Sequence, residues 1–96
     1  MIKFIKVTGQ SLSPEYQEGD FVMIVTVPFF LFKPGNTIVF QHPAYGMMIK
    51  KILRGDPQGL FVIGTHPNSV DSRQFGLIER QSVLGVVVWH IRKPKR

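Results

Sequence analysis

An all-β domain is what this sequence predicts, and three observations carry the prediction. Short apolar runs rich in β-branched and aromatic residues recur along the whole chain. Most of the nine glycines and seven prolines fall between those runs, where turns need them. No stretch sustains apolar residues at helical spacing, and 77–84 has room for one helical turn at most. The expected architecture is a small arrangement of bent antiparallel sheets or a partly closed barrel, as a single domain covering 1–96.

The elements follow in order. Residues 2–7 read as a first strand in which lysines alternate with apolar residues. Val7-Thr8-Gly9-Gln10-Ser11-Leu12-Ser13-Pro14 then forms a tight connection, and 14–20 a polar turn segment ending in Gly19-Asp20. Residues 21–27 read as a buried strand. Pro28 makes a central strand improbable over 28–32, where Phe29, Phe30, Leu31 and Phe32 are expected to plug the core rather than form an exposed lip. Pro34-Gly35-Asn36 is a turn, and 37–40 a strand. A break is expected over 41–46, a resumed strand over 47–53, and a hairpin-like connection through 55–59 to a strand at 60–64. A polar loop over 65–76 and a long final strand at 84–91 complete the chain.

Composition limits the function. An apolar share of 44% in 96 residues supports one core. The absence of cysteine rules out disulfides and thiolate metal sites and is compatible with a reducing cytosol. His42, His66 and His90 are far apart and lack ligand spacing, so neither a metal nor another cofactor is expected. The net charge of +6 suits nucleic acid or an anionic membrane, although much of the excess sits in the tail 92–96. No run approaches the roughly 20 apolar residues of a spanning helix, and the first residues lack the pattern of a signal peptide.

Chemistry can be sought around Ser11. A serine needs a neighbour to take its proton. A Ser/His/Asp set from Ser11, one histidine, and Asp20 or Asp71 is available on paper, but no spacing favours it. The other base is a lysine neutralised by burial. Met47-Met48-Ile49-Lys50-Lys51-Ile52-Leu53 places two lysines in an apolar strand, and alternation turns one inward. Lysines that snorkel out from an edge strand are the plainer alternative. In Asn68-Ser69-Val70-Asp71-Ser72-Arg73, Asp71 and Arg73 are spaced to brace a loop, and Ser69 could orient a neutral amine.

Together these stretches resemble type I signal peptidases and the related LexA-type self-cleaving proteins. Gly9-Gln10-Ser11-Leu12-Ser13-Pro14 with Gly19-Asp20 is similar to their nucleophile box, and Lys33-Pro34-Gly35-Asn36-Thr37-Ile38-Val39-Phe40 to their Lys-Pro-Gly-Asp segment. Ile49-Lys50-Lys51-Ile52 resembles the box of the general-base lysine, and the stretch from Asn68 to Gly76 their Asn-Ser-x-Asp-Ser-Arg box. The four lie in the family's order from Val7 to Gly85. The resemblance implies a serine endopeptidase with Ser11 as nucleophile and Lys50 as general base. Ser69, Asp71 and Arg73 would support the lysine, and the loop at Gly9 and Gln10 and the Ser11 backbone N–H would serve the oxyanion. It also implies an extended substrate with a small residue before the cleaved bond. Leu12, Gly9, Asn36 and Thr65-His66 depart from the family's usual residues, and the last change leaves the position of Ser69 open.

Self-cleavage of the repressor type does not fit, because ten residues precede Ser11 and the sole alanine is Ala44. The expected role is removal of an N-terminal leader or pro-peptide from a protein precursor in the cytoplasm. Small soluble relatives such as the maturation proteases of nickel superoxide dismutase are similar in length. A peripheral contact with a membrane, through 29–32 and the basic tail, is the alternative location. The rival from another class is a catalytically inactive basic β-barrel that binds nucleic acid or a protein partner. Nucleic acid is disfavoured, because Lys50 and Lys51 are embedded among apolar residues rather than ringing an exposed face.

Overall fold

The structure, a computed structural model, describes residues 2–6, 19–28, 31–64 and 70–92. Six strands make one antiparallel sheet: β1 (Ile2–Lys6), β2 (Phe21–Val25), β3 (Thr37–His42), β4 (Gly46–Asp56), β5 (Gly59–Ile63) and β6 (Val83–Ile91). Their order is β1-β2-β6-β3-β4-β5, an open sheet rather than a closed barrel. A four-residue helix, α1 (Ser72–Phe75), and a 3₁₀ turn at Arg80–Ser82 lie between β5 and β6.

Turn chemistry sets the register. Asn36 Oδ1 accepts the Lys33 N–H at 3.0 Å, and Gly35 takes φ 92°, which closes the turn before β3. The same turn is fastened to β4, because the Gly35 N–H donates to the Ile52 carbonyl and the Ile52 N–H to the Asn36 carbonyl, each at 2.8 Å. The break expected over 41–46 is a tight hairpin instead, with Gln41 and His42 still in β3. His42 makes this workable: its Nδ1 accepts the N–H groups of Ala44 and Tyr45, which would otherwise lack partners in the turn.

Neighbouring strand residues point to opposite faces, and the core divides accordingly. Ile38 and Phe40 of β3 join Ile52, Leu60, Val62 and Ile78 on one face. Val39 joins Val22, Ile24 and Ile49 on the other, with Ile5 and Val87 against them. Each fully buried aliphatic side chain stabilises by about 1.5–3 kcal/mol before entropy is charged. Phe32 and Phe75 pack against the first cluster, whereas Leu31 is exposed, so the expected plug is realised by Phe32. Phe29 and Phe30 lie outside the described residues.

The segment 70–76, expected as loop, contains α1. Asp71 is its N-cap: its carboxylate accepts the Arg73 N–H, and the Gln74 side chain returns a bond to the Asp71 N–H. Ser72 Oγ accepts the buried Val62 N–H at 2.8 Å, which holds the helix against β5.

Gly59 marks the tightest approach. Leu60 and Ile78 exchange backbone hydrogen bonds of 2.9 Å, and a Cβ on Gly59 would overlap the Ile78 carbonyl oxygen. Gly59→Ala should therefore lower unfolding stability by about 1–3 kcal/mol in denaturant titrations. An unchanged midpoint would contradict the close packing at this bridge.

Candidate active site

Lys50 stands opposite Ile38 in the β3–β4 register and projects onto the face that carries Ile38, Phe40 and Ile52. Its side chain is fully buried, at 0% exposure, and among the described residues its Nζ has no hydrogen-bond partner. Lys51 turns to the other face and is partly exposed. Strand alternation thus distinguishes the two lysines, burying the first and leaving the second in contact with water.

A charged amine in that place would forfeit its hydration. Burial lowers the Lys50 pKa to about 8; the Asp71 carboxylate acts in the opposite direction, and the Arg73 guanidinium adds a smaller push downward. At pH 7 roughly a tenth of the amine is then neutral, about 300-fold more than for a lysine at 10.5. The shift corresponds to about 3 kcal/mol by which the fold disfavours the ammonium form.

The carboxylate beside this amine is itself held in place. Asp71 is buried, and its Oδ2 accepts the Gly64 N–H at 2.9 Å. Arg73 grips it in two-pronged fashion, Nε to Oδ1 at 2.9 Å and Nη2 to Oδ2 at 2.8 Å. Burial alone would raise the Asp71 carboxyl, but the Arg73 contacts and the two backbone N–H groups outweigh it and bring the pKa to about 2. Asp71 therefore stays ionised through the neutral range, and Arg73 is raised by the same partnership. The arrangement gives Lys50 one nearby negative charge that is already neutralised on its far side. The brace expected of Asp71 and Arg73 is thus realised as an ion pair, with the Arg73 side chain half exposed.

Ser11, Gly9 and Gln10 fall in 7–18, and Ser69 in 65–69, outside the described residues. The ends of both segments are described. Lys6 and Phe21 are paired partners in β1 and β2, and Gly64 and Asp71 are tied by the hydrogen bond above.

A second polar pair selects one of the histidine–aspartate combinations that the sequence had left open. Asp20, buried at the entrance to β2, lies 2.6 Å from His90 Nε2 on β6. These residues are seventy positions apart, and no local spacing could link them. The capping role of Asp71, in contrast, had a signal: Asp71 and Gln74 have the spacing of a capping box. Among the described residues, no group of three His, Cys, Asp or Glu side chains gathers as a metal would need.

The chain matches no protein-family model and no curated protein.

The buried amine has a thermodynamic signature. Because its folded pKa lies below the unfolded value, the unfolded chain binds more protons between about pH 8 and 10.5, and stability rises with pH across that window. Lys50→Met should stabilise the domain at pH 7 by an amount on the order of 3 kcal/mol, and the gain should fade as pH passes 10.5. Denaturant unfolding at a series of pH values measures this, and a destabilised variant at every pH would refute it.

Proposed function

We propose that this domain is a serine endopeptidase working through a Ser/Lys dyad and removing an N-terminal leader or pro-peptide from a protein precursor. The supporting observation is Lys50, a buried amine without a hydrogen-bond partner among the described residues and with its pKa lowered to about 8. A structural lysine has little reason to be desolvated in this way, whereas a general base has to be unprotonated near neutral pH.

In this reading the Ser11 hydroxyl attacks the scissile carbonyl while Lys50 Nζ takes its proton. The tetrahedral oxyanion receives the Ser11 backbone N–H, a donor worth about 3 kcal/mol in comparable sites, with the loop at Gly9 and Gln10 shaping the hole. The Lys50 ammonium then gives its proton to the departing amine, leaving an ester on Ser11. Water, deprotonated by the same amine, hydrolyses that ester and restores the hydroxyl. Ser69 would orient the amine. Asp71 eases formation of the ammonium, and Arg73 offsets Asp71 enough to let the proton leave again. The substrate would lie extended with a small residue before the cleaved bond. Cytoplasm is the proposed setting, with a membrane surface as the alternative.

The Asp20–His90 contact of 2.6 Å favours a second reading, in which that pair activates Ser11. The two readings part by substitution: His90→Gln should abolish cleavage only in the second, whereas in the first a lysine at about 8 gives a rising limb of kcat/KM above neutrality.

Peptide-library cleavage followed by mass spectrometry tests the activity. Ser11→Ala and Lys50→Ala should each abolish cleavage while the domain stays folded, and Lys51→Ala should retain most of it. Loss of activity in Lys51→Ala with an active Lys50→Ala would reverse the assignment. No cleavage at all, together with salt-sensitive binding of oligonucleotides, would replace the protease with the basic nucleic-acid binder. Arg73→Met should raise the Lys50 pKa, since Asp71 would act on it unopposed, and move the rising limb to higher pH.

A further inference from the structure

On the side of the sheet that carries Ile38 and Phe40, the β3–β5 half is covered by Ile78 and Phe75. Among the described residues, none of the core cluster covers the β1–β2–β6 half of that same side. Cross-strand register sets Phe4 beside Met23 and Met23 beside Trp89, with Lys6, Phe21 and Ile91 in the next row. A register shift between Met23 and Ile24 places an extra residue, Val88, in β6, and Val88 and Trp89 are both exposed. Phe4 is 60% and Trp89 63% exposed, and Ile2, Phe21 and Ile91 are exposed beside them. Side chains of this size present on the order of several hundred Å² of apolar surface, more than a face with no partner ordinarily keeps.

Among the described residues, the exposed charges on the strands of the patch have one sign. Lys6 is exposed on β1 in the row of Phe21 and Ile91, Arg92 follows β6, and Lys93, Lys95 and Arg96 come next in the sequence. The strands β1, β2 and β6 contain no acidic residue, and Asp20 at the start of β2 is buried against His90. We propose that this face docks on a membrane surface bearing anionic lipids, with Phe4, Trp89 and their apolar neighbours entering the headgroup region while the basic rim meets the lipid charge. Aromatic and aliphatic insertion combined with a polybasic segment supplies the two signals that stable peripheral binding requires. A second copy is a poorer occupant, since a two-fold contact through this face would set two identical basic rims against each other. The inference is independent of the Ser/Lys reading.

Trp89 is the chain's single tryptophan, so its emission reports on the face directly. The full chain would be mixed with vesicles of phosphatidylcholine alone or of an equimolar phosphatidylcholine–phosphatidylserine mixture, then floated on a density gradient. Flotation and a blue shift of Trp89 emission are expected with the anionic vesicles only, both weakened by added salt. Phe4→Ser, at an exposed site, should leave the melting temperature unchanged and reduce the bound fraction on the order of tenfold. The proposal is overturned if neither signal responds to anionic vesicles, or if Phe4→Ser binds as well as the parent chain. A blue-shifted Trp89 with doubled mass in lipid-free buffer would also overturn it, assigning the face to a second copy.

Discussion

A single amine held out of water is the constraint to which the rest of this small sheet answers. Lys50 projects from the centre of β4 into the face that also buries Ile38, Phe40 and Ile52, where its charge has no hydration. The fold tolerates it because Asp71 lies within electrostatic reach, and Asp71 is tolerable because Arg73 and the Gly64 N–H satisfy its oxygens. Each group in this chain corrects the burial of the one before it, ending at a guanidinium half in solvent. An apolar residue would pack in the place of Lys50 at less cost. Burial brings the lysine to within about one unit of neutrality, to a pKa of about 8, where both protonation states are populated.

Much of this was legible in the sequence, for reasons that can be named. The strand around Lys50 and Lys51 advertised its conflict, because two adjacent lysines in an apolar run cannot both reach solvent on one face. The turn at Pro34-Gly35-Asn36 also followed from local chemistry. Other features depended on partners that lie far along the chain. Asp20 and His90 meet only because β2 and β6 pair. The helix α1, by contrast, had a local signal in the Asp71 and Gln74 capping box, although the segment was expected to be loop. In β1 the alternation of lysine with apolar residues was clear, yet it could not say which face is inside. Ile5 packs against the core and Phe4 faces out, since a strand at the edge of a sheet can offer either side to its neighbours.

The sheet treats its two halves differently. Over β3, β4 and β5, one side is covered by Ile78, Phe75 and the helix that Asp71 caps, and Lys50 is buried on that same side. Over β1, β2 and β6 the equivalent side has no such cover among the described residues, and its Phe4, Met23 and Trp89 row remains in contact with solvent. The polar chemistry and the exposed apolar surface are therefore carried by different strands. Substitutions that alter one have little physical route to the other except through the strand between them.

That intermediate strand is β6, the last of the six along the chain but third in the sheet. Until it is inserted, the β1–β2 hairpin has no neighbour, and Val22 and Ile24 cannot join Val39 and Ile49 across Val87. The two parts of the sheet are therefore joined only through the segment that comes last in the chain order of strands. The buried members of the Ile38 and Phe40 cluster all precede β6, so it is the Val22, Ile24, Val39 and Ile49 cluster whose assembly waits for the closing strand.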